Sequence, residues 1–393
     1  MDFDMILKWL GGCGPYQRKR LILLAFLGSW LCTSGHFAIA LILLTPKFKC
    51  VPHSDARDLK SKIPIDPYGL NENSTSSGVI LVNHPMTDRT EIMHCDSQFY
   101  LICERRWYIS FAIWAYIIGD IIGSSIVPFV IDRYGRKTTA LSLLLIDLTF
   151  GSVAPLSNIL FGFIFCKFVA STTVGASLVV SFVWALEMVS PEYRTQTSLF
   201  IEVIYGLCVA ILELIAYFCH NWFIYCFAIN VIPVIIGVLV FFFVPESPRW
   251  LLAVGESDRA LQNVLQMSKE NGVMAKPQEL QLMMQQTREE KQKCQQNGET
   301  SFLAMFRYKN LREKLLVLSF AYFATHLLYN LFQHNVENLP GHPYVVFSLC
   351  GLVELPALAF MSWGLPRTGT IRMTVLLFWL AAISAAATPI IGG

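Results

Sequence analysis

Five carboxylates stand inside long apolar runs of the sequence, Asp120, Asp147, Glu202, Glu213 and Glu354, and only one base, Lys167, stands there with them. An acid at the centre of a membrane helix costs about 2.5–3.5 kcal/mol on insertion scales, so such groups tend to face a wet cavity or a partner. Five acids against one base favour cations. Glu202 and Glu213 are eleven residues apart, close to three helical turns, so they point the same way about 16 Å apart. Tyr205 and Tyr217 share that face, and a carboxylate flanked by aromatic rings holds an ammonium through charge and cation–π attraction. Glu213 is expected to be the main electrostatic determinant. His326, Asn330 and Gln333 repeat at i, i+4, i+7 and form one polar stripe, with His334 beside it. Each group also has a structural reading: packing or protonation by burial for Glu213, interhelical hydrogen bonding for the stripe, a kink at Pro356 for Glu354. For Asp120 it is helix packing through Gly119 and Gly123.

The elements that must position these residues follow from composition. With 54% hydrophobic and 15% charged residues the chain is far more apolar than an ordinary globular domain. Windows of about 20 apolar residues, long enough to cross a bilayer as a helix, can be drawn nine times. They run over Leu21 to Leu44, Ile109 to Val130, Thr138 to Pro155, Leu160 to Leu186, Thr197 to Cys219, Phe223 to Val244, Leu315 to Phe332, Tyr344 to Leu365 and Met373 to Ile391. The first is too long for a signal-peptide core and lacks a small-residue cleavage site. Outside the long first loop, every Lys and Arg except Lys167 precedes the first span or follows an even-numbered one, which places the N-terminus in the cytoplasm.

Residues 45–108 then lie outside the cell. They hold a glycosylation sequon at Asn73 and the cysteines Cys50, Cys95 and Cys103. Any of three pairs is open; Cys50 with Cys95 is preferred, and Cys219 is a possible partner for the third thiol. Residues 245–314 read as a linker of two or three short surface helices, one N-capped by Ser257 and stopping at Asn271-Gly272, the next starting at Pro277. No metal-ligand cluster and no Walker, Rossmann or catalytic-triad pattern occurs, so neither an enzyme nor a cofactor is expected.

The stretch "PFVIDRYGRK" ends the second span with Asp132, Arg133, Arg136 and Lys137 around a lone Gly135. A tight turn between two helices needs a residue tolerant of positive φ, which glycine supplies, while Asp132 is placed to cap a following or neighbouring helix N-terminus. A related stretch, "LPRTGTIR", follows the eighth span, and such a recurrence suggests two related six-helix bundles.

With "VPESPRWLL" (Val244 to Leu252), "KFKCVP", "HCDS", the pair Lys167 and Glu187, and "NVENLPGHPYVVFSLCGLVELPA" from Asn335, the sequence resembles the organic-ion transporter family of the major facilitator superfamily, the organic cation, carnitine and organic anion transporters. The resemblance covers nearly the whole chain. It implies an all-α polytopic membrane protein in five parts: 1–44 the N-terminus and first span, 45–108 the extracellular loop, 109–244 the rest of a complete six-helix bundle, 245–314 the linker, and 315–393 three helices of a partial C-terminal bundle. It implies conformational gating by Asp132, Arg133, Gly135, Arg136, Glu187, Glu246 and Arg249, with Glu187 paired to the loop arginines, and puts Asp147 on a peripheral span. Substrate contacts are expected from Glu202, Tyr205, Glu213, Tyr217, Asn330 and Gln333.

The sequence departs from the family at Pro128, where glycine is usual, and at Pro366, Thr370 and Ile371, where the second motif has lost its charges. Twelve spans are the family's number and the sequence ends after the ninth. The expected activity is transport of small organic cations or zwitterions by alternating access at the plasma membrane. The alternatives are organic anions as substrates, or a transport-dead truncated isoform or regulator that associates with a full-length homologue. The lipid bilayer is an expected partner; nucleic acid is not.

Overall fold

The computed structural model describes residues 3–42, 49–50, 79–80, 107–219, 221–274, 276–296, 308–335 and 343–391. A short helix α1 (Phe3–Trp9) is followed by α2 (Pro15–Ile42), α3 (Trp107–Tyr134), α4 (Arg136–Val153), α5 (Leu160–Ser171), α6 (Val174–Glu187), α7 (Pro191–Phe218) and α8 (Trp222–Phe243). With α5 and α6 counted as one, α2 to α8 make six helices long and apolar enough to cross a membrane. The linker carries α9 (Pro248–Val254), α10 (Ser257–Glu270) and α11 (Pro277–Gln296), and beyond it come α12 (Lys309–Asn335), α13 (Pro343–Thr368) and α14 (Thr370–Ile391). Among the described residues the only strands are β1 (Lys49–Cys50) and β2 (Val79–Ile80), which form a two-residue antiparallel ladder. Asn73 and Cys95 lie outside the described residues, as does the side chain of Cys50.

Most of the first span's window is buried, because α2 packs against α6, α7 and α8. At its middle the Trp30 indole N–H donates to the Ile229 carbonyl at 2.8 Å, satisfying the one polar group of a ring otherwise sealed in the core.

The fourth span is not the single helix expected over 160–186. It breaks at Thr172 and Thr173, whose hydroxyls donate back to the Val169 and Ala170 carbonyls at 2.7 Å each, competing with the helical backbone bonds there. Glycines on α3 let the break sit close: a Cβ on Gly123 would run into the Thr172 carbonyl, and one on Gly119 into Ser171 and the Phe168 carbonyl. The expected small-residue packing is therefore present. Asp120, between those glycines, also accepts the Gly175 N–H at 2.8 Å and so caps the start of α6.

The second group of helices meets the first mainly through α13 against α7. Gly206 and Gly351 make the crossing: a Cβ on Gly206 would lie 3.1 Å from the Gly351 carbonyl, and one on Gly351 2.9 Å from Val209. Two glycines in register allow the backbones this approach.

Candidate functional site

Two sites are built on this frame, one between the bundles and one at their linker end. Around the glycine crossing, Glu202 of α7 is exposed, and Glu354 of α13 is near enough to interact with it electrostatically. Glu354 also lies 3.5 Å from where a Gly206 side chain would begin. Cys32 of α2, Asp120 of α3 and Tyr322 of α12 lie within electrostatic range of Glu202 or of one another. The Tyr322 ring stacks on His326 at 5.2 Å between centroids, and His36 of α2 meets Tyr116 edge-on at 6.1 Å. Carboxylates from both bundles thus converge with aromatic rings.

The residues expected at the site differ widely in exposure. Glu202 is exposed and Tyr205, one turn on, is half-buried. Glu213 is 0% exposed, and neither carboxyl oxygen meets a hydrogen-bond partner, so a solute reaches it only if packed helices part. Tyr217 lies at the far end of α7, 48% exposed and edge-on to Phe218. Asn330 and Gln333 are on α12, but their side chains lie outside the described ones. Asp147, expected at the periphery, is only 8% exposed and lines a small internal pocket of the first bundle with Lys167, Asn230 and Tyr116. The reason is that α4 turns this face onto α5 and α8. Cys32, His36 and Tyr322 were missed because single polar residues in apolar helices have no spacing that marks them.

At the linker end, Gly135 takes φ 94° and ψ 166° between α3 and α4, the positive φ its sequence position demanded. Asp132 is not the cap. The N–H groups of Arg136 and Lys137 donate to Glu246 at 2.9 and 3.1 Å, and the Ser247 N–H joins them at 2.9 Å. Glu246 wins because it enters from the linker on the axis of α4, where the helix leaves its first N–H groups free and its dipole favours an anion. Burial pushes the Glu246 carboxyl above its ordinary 4.5, while those three N–H groups pull it down.

Arg136, 7% exposed, forks onto Glu187 with Nε and Nη2 at 2.9 and 2.7 Å, and reaches the largely exposed Asp132 at 3.2 Å. Of the loop's cations only Arg136 holds Glu187; Arg133 lies over the Tyr134 ring at 5.6 Å, and Lys137 bonds the Phe241 carbonyl at 2.6 Å. Trp250 donates its indole N–H to the Asp132 carbonyl at 2.9 Å, and Arg249 pairs with Asp4 at 2.6 Å. Asp4 carried no readable signal in the sequence, and Trp250 was read only as part of the motif from Val244 to Leu252. In the linker, Ser257 is the first residue of α10 and Glu256 precedes it at the cap position, its carboxylate accepting from Arg259 at 2.6 Å and not from the helix N–H groups.

Comparison with known proteins agrees with this architecture. Residues 70–335 match the family described as "Sugar (and other) transporter". The chain is 26% identical to the organic cation transporter protein of Drosophila melanogaster, across 99% of its own length and 75% of that protein. It is 24% identical to the beta-alanine transporter of the same organism (99% and 72%), and 25% to human solute carrier family 22 member 2 (67% and 46%). Among solved structures, the partially occluded inward-open xylose transporter XylE of E. coli superposes with a TM-score of 0.50 at 15% identity, covering 89% of this chain and 73% of that one, a likeness of fold. The family match spans well over half of the sequence, so the chain belongs to the sugar (and other) transporter family of the major facilitator superfamily: it is a multi-pass membrane transporter and not an enzyme, and its relatives include organic cation transporters.

Proposed function

We propose that the chain carries small organic cations or zwitterions across the plasma membrane by alternating access, with the N-terminus in the cytoplasm. The observation that carries this is that Glu202 and Glu354, one from each bundle, lie within electrostatic range of each other beside the Gly206–Gly351 crossing. Two carboxylates brought together from two moving bundles are relieved by protonation of one or by a counter-charge between them, and a solute ammonium is such a counter-charge. Tyr322 offers a ring for the cation's apolar substituents. Relatives named for organic cations and for beta-alanine, a zwitterion with an ammonium group, support the same class. In this reading Arg136, Glu187 and Glu246 tie the ends of α3, α4, α6 and α8 together, and their loosening accompanies the swing between access states. An inside-negative potential of about 60 mV would concentrate a monovalent cation about tenfold.

The test is uptake of radiolabelled quaternary ammonium, beta-alanine and a monocarboxylate by cells expressing the chain. Saturable uptake of the first two supports the reading. Uptake of the carboxylate alone overturns it.

A further inference from the structure

The sequence ahead of the first span is built into the linker. Phe3, Ile6, Leu7 and Leu10 are each no more than 1% exposed, and they close a hydrophobic cluster separate from the membrane core. Its other half is the linker: Leu251 of α9, Val264 of α10 and Met284 of α11 bring one face of each helix to α1. The apolar face of the linker is thus covered by residues that precede span 1.

Polar contacts fix the register of this docking. One Asp4 oxygen accepts from Arg194, at the start of α7, and from Arg249 of α9, both at 2.6 Å, so a single carboxylate joins the bundle to the linker. Arg20 forks onto Glu270 with two contacts of 2.9 Å. Asn271, ending α10, accepts the Tyr16 N–H at 3.0 Å and donates to the Leu10 carbonyl and the Gln17 amide oxygen at 2.9 Å each. The turn between α1 and α2 has no room for side chains at two points: a Cβ on Gly12 would lie 2.8 Å from the Tyr193 ring, and one on Gly14 would collide with Asn271. Gly12 also accepts the Ser190 N–H at 3.2 Å. Burial, paired charges and close-fitting glycines all point to one seated arrangement.

We propose that residues 3–20 are a clamp that fastens α9–α11 to the first bundle, so that the linker travels with that bundle as one body. Asp4 and Asn271 act as positioning residues. By holding the linker they set Glu246 against the Arg136 and Lys137 N–H groups, with the Asn263 amide, which donates to the Glu246 carbonyl at 3.0 Å, passing the register on from α10. This inference rests on the transport reading only in its uptake measurement, since the exchange measurement does not depend on any solute.

The experiment is hydrogen–deuterium exchange on the full chain in lipid nanodiscs, comparing the unmodified protein with Asp4→Ala, Asn271→Ala and the double variant. The double variant should exchange amides 251–284 about tenfold faster or more, with those of α3 to α8 unchanged. Asp4→Glu, which keeps both arginine partners, should restore protection. In the uptake assay the maximal rate should fall with KM unchanged, because the solute site is elsewhere. Unchanged exchange over 251–284 in the double variant overturns the proposal. Equal loss of protection in α3 to α8 overturns it too, since the segment would then hold the whole fold and not the linker.

Discussion

The carboxylate of Glu246 accepts the backbone N–H of Arg136 at 2.9 Å across 110 residues of sequence, and the side chain of that same arginine forks onto Glu187. One residue therefore joins the linker, the turn between the second and third spans, and the end of the fourth. Glu187→Gln leaves a guanidinium that is 7% exposed without its bidentate partner, and losing one member of a buried pair costs about 3–5 kcal/mol. Asp132→Asn removes an exposed contact worth about 0–1 kcal/mol. Thermal unfolding in detergent should rank them in that order. Asp132→Asn should also slow transport with little change in affinity; a large affinity loss at normal turnover would show that the loop touches the solute.

Gly135→Ala tests the turn itself. An L-residue at φ 94° and ψ 166° is strained by about 1–3 kcal/mol, and its Cβ would run into the Glu246 carboxylate and lie 3.1 Å from the Trp250 ring. The expected result is a lower unfolding temperature and slower transport. Alanine behaving as wild type would mean the turn re-forms without positive φ.

The solute site is best probed by charge. Glu202→Gln keeps shape and hydrogen bonding while removing a charge-assisted contact of roughly 1.5–3 kcal/mol, so the apparent affinity for a cation should fall about tenfold to hundredfold. Glu213→Gln should change it less, because that carboxyl is sealed in packed helix. The reverse ranking, measured by competition with a quaternary ammonium, would return the site to Glu213.

A pH effect follows from the clamp. The hydrogen bonds from Arg20 hold the Glu270 carboxyl below its ordinary 4.5. A depressed carboxylate stabilises the docked state fully above the unfolded value and loses that contribution as pH falls through the lower, folded value. Exchange protection of α10 should therefore hold at neutral pH and decline below about 4.5, and Glu270→Gln should start lower and lose this dependence. Protection that strengthens on acidification would contradict the pairing.

Topology has its own check. Asn73 is expected to carry a glycan outside the cell while the linker stays inside, so glycosidase should shift the protein's mobility and protease added to intact cells should spare Lys291. Cleavage there in sealed cells would reverse the orientation.

The apolar runs and the spacing of their acids were enough to read the helical, membrane-spanning architecture, because a helix in lipid must be long and oily whatever surrounds it. Gly135 was legible for a similar reason: the need for positive φ is a local property of one residue. The cap at Gly135 was not local. Asp132 and Glu246 are both acids near the loop's ends in space, and only the approach of the linker decides which one reaches the α4 amides. The close seating of the break at Thr172 depends on glycines of another helix, the burial of Asp147 on which face α4 turns inward, and the burial of Glu213 against the exposure of Glu202 on how α7 packs. Periodicity says which residues share a face. Which face meets water, lipid or another helix is set by long-range packing, and that only the tertiary structure decided.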